Sequence, residues 1–301
     1  MISVVIPFFN KLSEVSGALY LLKKQTVGEV EWIFIDNGST DPVEKYFYKY
    51  FKPKKAVFIR NEQNEGIVKA WNQGIKASSG DIVAFLHNDL YIYDLGWDKI
   101  VYSLFEKIDK LGIVGFHGSP GTKENAGRLD AYSNLVEADI HGQRLIEEYL
   151  PVAILDGIAF ICSKKMLLEV GGIDKNYKFF HVTDADLSLE SLKAGYKNVV
   201  ANVYCHHARG VTSNAPEYLE FVSKLTGEKD GNMYLMEQNR NYFNKKWGPE
   251  GYDILPFYIE KDWSFLSPDH ELIFNGSPLI SGFGKLKGDK IRHLQKGKNN
   301  G

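Results

Sequence analysis

The chain has 301 residues, 44% hydrophobic and 25% charged, enough to bury one large core or two smaller ones. A formal net charge of −2 supplies no overall field for a polyanion, and no basic patch stands out before the C-terminal tail, so nucleic acid is not an expected partner. Two cysteines, Cys162 and Cys205, are too few for a disulfide framework and suit a cytoplasmic compartment. No apolar run nears the ~18 residues that span a bilayer, and "MISVVIPFFN" lacks signal-peptide features, so membrane contact is expected to be peripheral at most.

Through the first 120 residues, short β-rich apolar runs alternate with longer amphipathic stretches, the pattern of βαβ units on a mostly parallel sheet. "ISVVIP" reads as the first strand, closed by Pro7, which cannot donate to a ladder. A helix from about Ser13 to Gln25 follows, with Val15, Leu19 and Leu22 on its inward stripe. "EWIFID" is the second strand, and Ser39, Thr40 and Asp41 are placed to cap a helix begun by Pro42. "AVFIR" is the third strand, "NEGIVKAWNQGIKASSG" a loop and helix, and "DIVAFLHND" the fourth strand. A helix over residues 96–111 leads to the apolar run "GIVGFHG". From 117 to 150 the period fades, and this stretch reads as an active-site loop region. "LDGIAFICS" is another buried strand, and "KKMLLEV" a short helix stopped by Gly171 and Gly172. Thr183 opens a helix that ends near Gly195, and "NVVANVYCHH" is a late strand. Beyond about Ser213 the pattern turns helical and then irregular, which divides the chain into an α/β body over 1–213 and an extension over 214–301.

In an open α/β sheet, ligands lie outside the carboxyl ends of the strands, so polar residues there are the candidates. Neither a G-x-G-x-x-G nor a G-x-x-x-x-G-K-[ST] motif is present, which argues against dinucleotide and P-loop modes. Asp36 ends the second strand, either as an acceptor for a uracil N–H or ribose hydroxyl or as the opening of an Asx turn over Gly38. Asp89 offers the one carboxylate that Mg²⁺ or Mn²⁺ needs when phosphate and water fill the remaining positions; the competing reading is a turn. Thr183 and Asp186 have capping-box spacing. That leaves Asp184 either as a dipole-favoured acid in the first helical turn or as a general base on a rigid helix start. His206 and His207 point to opposite sides of an extended strand, so at most one serves as a further metal ligand.

Taken together, "SVVIPFFN", "IDNGSTD", "NEGIVKAWNQGIKASSGDIVAFLHND", "GGIDKNYKFFHVTDADLSLESLKAGYK" and "CHHARGVT" resemble the ordered signature blocks of family 2 glycosyltransferases over about residues 1–213. The resemblance implies a GT-A fold, that is, a Rossmann-like mostly parallel sheet flanked by helices. It also implies a nucleotide-diphosphate sugar donor, a divalent cation (Mn²⁺ or Mg²⁺), and inversion at the anomeric carbon. Carried over residue by residue, Pro7, Phe8 and Phe9 would line the base pocket and Asp36 would bind the nucleoside. Asn64, Gly66 and Lys69 would lie near ribose and diphosphate, and Asp184 would be the base. The family's DxD motif stands here as His87-Asn88-Asp89. Asp89 is the kept metal carboxylate, Asn88 a donor-binding neighbour, and His87 the place where a carboxylate is missing.

The implied reaction is a single displacement of a UDP-sugar, or a dTDP-sugar, by an acceptor hydroxyl on a saccharide, lipid-linked or protein acceptor. Two other classes fit an α/β nucleotide-binding body: a sugar-1-phosphate nucleotidyltransferase, although "PFFNKLSE" lacks its Gly-rich loop, and a non-catalytic nucleotide-sugar-binding module. In the extension, Tyr234, Tyr242, Trp247 and Trp263 read as an acceptor platform or, more commonly, as core or subunit contacts.

Overall fold

The computed structural model of the protein describes residues 1–119, 132–135 and 143–247, together with short backbone segments at 273–274 and 277–278. Strands β1 (Ile2–Phe8), β2 (Val30–Asp36), β3 (Ala56–Arg60) and β4 (Ile82–Leu86) alternate with helices α1 (Leu12–Gln25), α2 (Val43–Tyr46) and α3 (Gly66–Ala77). After β4 come β5 (Leu90–Ile92), α4 (Trp97–Lys107), β6 (Leu111–Gly115), β7 (His117–Ser119), β8 (Tyr132–Ser133), β9 (Gln143–Arg144), β10 (Tyr149–Pro151) and β11 (Ile154–Leu155). The body closes with β12 (Ala159–Ser163), α5 (Lys164–Val170), α6 (Thr183–Lys193), β13 (Lys197–Ala201) and β14 (Cys205–His207). Helices α7 (Pro216–Thr226) and α8 (Gly231–Trp247) follow.

The central sheet has eight strands in the order β10-β13-β6-β12-β4-β1-β2-β3. Strands β4, β1, β2 and β3 run parallel, as do β6 and β13. β12 enters antiparallel between β4 and β6, and β10 is antiparallel to β13 at one edge. β4, "IVAFL", is buried at every position because it lies mid-sheet with cover on both faces. On one face Trp71, Ile75, Met166 and Leu187 pack from α3, α5 and α6 against Val5, Phe85 and Phe160, and Phe243 and Trp247 of α8 join them. On the other, Val15 and Leu19 of α1 and Val101 and Leu104 of α4 pack against Val4, Ile6 and Ala84.

Several expectations shift in detail. "GIVGFHG" does not continue as one strand: it breaks at Phe116, with β6 in the central sheet and β7 in a second sheet of order β11-β7-β8-β9. "NVVANVYCHH" likewise divides, and β14 pairs with β5 in a two-stranded ribbon. The Ser39–Asp41 turn does not cap α2, which has no side-chain cap. Ser39 Oγ accepts Asn10 N–H at 2.8 Å and Asp41 Oδ2 accepts Leu12 N–H at 2.8 Å, so the turn braces the start of α1 instead. Part of the 117–150 loop region, Trp263 and the basic tail lie outside the described residues. Both cysteines are buried and neither is in a disulfide. Among the described residues, no helix is long and apolar enough to cross a membrane.

Candidate active site

The carboxyl ends of β1, β2 and β4 open into a cleft of about 710 Å³, within the range of small-ligand sites. Its lining includes Pro7, Phe8, Phe9, Asn64, Gly66, Asn88, Asp89, Asp184 and His207, which brings together most of the residues singled out in the sequence.

Asp36 does not line the cleft; its side chain is fully buried. It accepts Ser39 N–H at 2.8 Å through Oδ1 and pairs with Arg60 of β3 through Oδ2. Its neighbour Asn37 reaches the cleft instead. Lys69 is also outside it, exposed and ion-paired with Glu65 at 3.0 Å one helical turn back. Asn64 is buried and accepts Gly66 N–H at 3.0 Å, fixing the turn that launches α3. Gly66 has φ +78°, and a Cβ there would lie 2.6 Å from Phe179 O, so only glycine fits.

At the mouth of β4 the chain turns and re-enters the ribbon as β5, with β14 alongside. His207 is paired with Leu90 and His206 with Tyr91. Because side chains alternate along a strand, His207 faces the cleft while the His206 ring packs against Tyr91. His207 Nε2 lies 3.2 Å from Asp89 Oδ1 and 3.2 Å from His87 Nδ1, and His87 Nδ1 is 4.0 Å from Asp89 Oδ1. One ligand atom from each of these three residues lies within 4.8 Å of the others, so together they form a set able to hold a metal ion. Ligands at the ~2.1 Å typical of a small divalent cation would stand about 3 Å apart when mutually perpendicular, which matches two of the three separations. Burial, and then the neighbouring His207, hold His87 below the ordinary imidazole value, favouring the neutral form that ligates. Burial alone would raise Asp89, but the His207 hydrogen bond and the charges of His207 and His87 outweigh it and leave the carboxyl below its usual range. His87, read from the sequence only as a missing carboxylate, is thus part of the set. Residues 87–90 form a turn closed by Leu90 N–H to His87 O at 3.3 Å, and this turn, not strand alternation, brings His87 and Asp89 together.

Asp184 sits in the first turn of α6. Its Oδ2 accepts Gly157 N–H at 3.2 Å and Oδ1 accepts Ala185 N–H at 2.9 Å. Burial first, and then the charge of Asp156 across the cleft floor, push its pKa up to about 6 despite those hydrogen bonds. That is the range in which a carboxylate works as a base near neutral pH. Asp156, which the sequence reading missed, lines the same cleft and accepts Ile158 N–H at 3.1 Å.

The capping-box reading of Thr183 and Asp186 does not hold. The residue before α6, Val182, is left-handed and no side chain caps the helix. Asp186 turns away from the helix end into a buried hub, accepting Tyr177 O–H at 2.8 Å and Trp247 Nε1–H at 2.7 Å. Lys246 bridges Asp186 at 2.8 Å, Asp174 at 3.0 Å and Glu190 at 3.0 Å. Tyr242 donates to Asp174 at 3.0 Å. Trp247 and Tyr242 thereby tie α8 to the body, and Tyr234 stays on the surface.

Comparison with known proteins bears on the family and the fold. The family model for Glycosyl transferase family 2 matches residues 3–171, more than half of the chain. An uncharacterized glycosyltransferase of Haemophilus influenzae is 25% identical over 257 residues, 80% of each chain. A poly-beta-1,6-N-acetyl-D-glucosamine synthase of Staphylococcus epidermidis is 29% identical over 56% of this chain, which spans only 41% of that protein. Among solved structures, GalNAc-T7 with UDP, GalNAc and Mn²⁺ superposes with a TM-score of 0.60 at 15% identity, over 89% of this chain and 53% of that one. The mannosyltransferase PcManGT of Pyrobaculum calidifontis, in complex with GDP-Man and Mn²⁺, gives 0.52 at 16% identity, over 85% and 71%. These likenesses give the fold as GT-A. The family match puts the enzyme among glycosyltransferases, ahead of the nucleotidyltransferase and non-catalytic alternatives. The chain belongs to glycosyl transferase family 2.

Proposed function

We propose that the protein transfers a sugar from a nucleoside-diphosphate donor to an acceptor hydroxyl with inversion, in one displacement. UDP is the preferred nucleotide and dTDP the next. The observation that carries this reading is a single cleft holding both the His87, Asp89 and His207 ligand set and a carboxylate, Asp184, poised near pH 6. Asp184 takes the proton of the acceptor O–H as that oxygen bonds to the anomeric carbon. The bond from that carbon to the diphosphate oxygen breaks, and the nucleoside diphosphate leaves with its electron pair.

Pro7, Phe8 and Phe9 at the end of β1 offer apolar surface for the base, and Asn64 and Gly66 present the start of α3 to the ribose and diphosphate. Asn37 and Asn88 add amide donors and acceptors beside them. Asp36 supports the nucleoside pocket by fixing the turn under Asn37, and Lys69 lies at its periphery. His87, Asp89 and His207 would hold a divalent cation, with Mn²⁺ a better fit to two imidazoles than oxygen-seeking Mg²⁺. Such an ion supplies positive charge where negative charge develops on the leaving diphosphate. That GalNAc-T7 was solved with UDP and Mn²⁺, and PcManGT with GDP-Man and Mn²⁺, supports a nucleotide donor and a divalent cation here. The acceptor belongs to the saccharide, lipid-linked or protein hydroxyl class, and two cysteines with no disulfide between them favour a cytoplasmic location with at most peripheral membrane contact.

The test is a panel of UDP-, dTDP- and GDP-sugars with Mn²⁺ and mixed acceptors, reading nucleoside diphosphate release. Release with a UDP- or dTDP-sugar is expected. A chain that binds none of the donors and releases nothing overturns the reading.

A further inference from the structure

We infer that Asn239, on α8 and outside the family-matched segment, is a positioning residue for the reaction: its amide clamps the strap of residues 178–182 that carries the backbone into Asp184. The inference rests on Asp184 as the base proposed above.

α8 buries a stripe at every fourth residue, Gly231, Leu235, Asn239, Phe243 and Trp247. Asn239 is the polar member, and it is only 1% exposed. A buried amide is costly unless it is hydrogen-bonded, and here every partner belongs to the strap. Oδ1 accepts Lys178 N–H at 2.7 Å. Nδ2 donates to the carbonyls of Lys178 at 2.8 Å, Phe180, and His181 at 3.3 Å.

The strap needs such a hold. Phe179, His181 and Val182 all have positive φ, at 63°, 69° and 66°. Residues with side chains avoid this region, a β-branched one most of all, and such conformations persist only where their surroundings impose them. What the strap fixes lies on both sides of the cleft. Val182 O accepts Asp186 N–H at 3.0 Å and so sets the first turn of α6, where Asp184 sits. Phe179 O accepts Ile67 N–H at 2.7 Å at the start of α3, packed over the glycine at 66. One amide on α8 therefore holds the segment that orients the base and braces the α3 turn.

The test compares Asn239→Ala and Asn239→Leu with Leu235→Ala, which removes packing from the cluster that Phe179 and Phe180 join but leaves the Asn239 hydrogen bonds to the strap in place. Asn239→Leu keeps the branched shape of the side chain and removes all of its hydrogen bonds to the strap. In native-state trypsin digests, cleavage after Lys178 should speed up at least about fivefold in both Asn239 variants relative to Leu235→Ala at an equal drop in Tm, because cleavage follows the opened population. Their kcat should fall by roughly ten- to a hundredfold, the loss expected when a reacting group moves by about an ångström, while KM for the donor rises by a smaller factor as the α3 turn loosens with the strap. Cleavage no faster than in Leu235→Ala, or an unchanged kcat in a strap that does open, overturns the inference. The digest reads the clamp without turnover, so failure of Asp184 as the base, seen as retained activity in Asp184→Asn, is a separate outcome.

Discussion

Replacing Asp184 by asparagine should abolish transfer and stabilise the fold, and the second effect tests the electrostatics more sharply than the first. Raising the carboxyl from 3.8 to about 6 disfavours its charged form in the folded state by roughly 3 kcal/mol above pH 6, at 1.36 kcal/mol per pH unit. Asn removes that penalty but offers one acceptor oxygen where two backbone N–H groups now bond, losing about 1 kcal/mol. A net gain of about 1–2 kcal/mol at pH 8 remains, which corresponds to a rise in Tm of roughly 2–6 °C for a body of this size. The sign reverses with acid. The folded state binds the proton more tightly than the unfolded chain, so the penalty is absent below pH 3.8, grows through the interval to about 6, and is complete above it. Thermal melts of both proteins from pH 4 to 8 should therefore start with no advantage for the variant and diverge as pH rises. A variant that melts at or below the parent at pH 8, or whose gain is the same at pH 4, would refute the reasoning. In the same pair, turnover should fall by about 10²–10⁴ while donor binding is kept, and the parent's activity should decline as pH drops through about 6.

The ligand set makes a separable claim. His87→Ala and His207→Ala should each weaken Mn²⁺ binding at least about tenfold by calorimetry, whereas His206→Ala, whose ring packs on Tyr91, should leave it within about twofold; equal losses from all three would contradict the ribbon register. Gly66→Ala forces a Cβ against Phe179 O at positive φ and should cost about 2 kcal/mol or more in denaturant unfolding, with donor affinity reduced. A variant as stable as the parent would show that the turn can relax. Lys246→Met strands Asp174, Asp186 and Glu190 without their shared cation and should lower stability by roughly 2–4 kcal/mol. An unchanged urea midpoint would mean the hub contributes no net stability.

Much of the fold is legible before any coordinates. The alternation of "SVVIP", "EWIFI" and "VAFL" with helical stretches places β1, β2 and β4 in a parallel sheet, because a strand buried on both faces is apolar apart from paired polar groups such as Ser3 and Glu31. The local signals mislead where two elements compete for one side chain. Asp41 follows a strand and precedes a helix, yet it caps α1 because Leu12 lies across the turn. Asp186 has capping spacing to Thr183, yet α8 brings Trp247 and Lys246 close enough to claim it. Asp36 ends its strand as a ligand would, but Arg60 from the parallel neighbour occupies its second oxygen.

Beyond what the family resemblance implied for Asp89 and Asp184, the sequence by itself determined the run of elements through about residue 213 and the polar residues at the strand ends. These follow from periodicity and spacing within single elements, where a few neighbouring residues decide which face is buried. Only the tertiary structure decided that His207 rather than His206 faces Asp89, that His87 joins them, and that Asn239 reaches the strap before Asp184. Those outcomes depend on the register between β5 and β14 and on how α8 lies across α6. Such contacts join residues tens to more than a hundred positions apart, and no local pattern along the chain encodes their pairing.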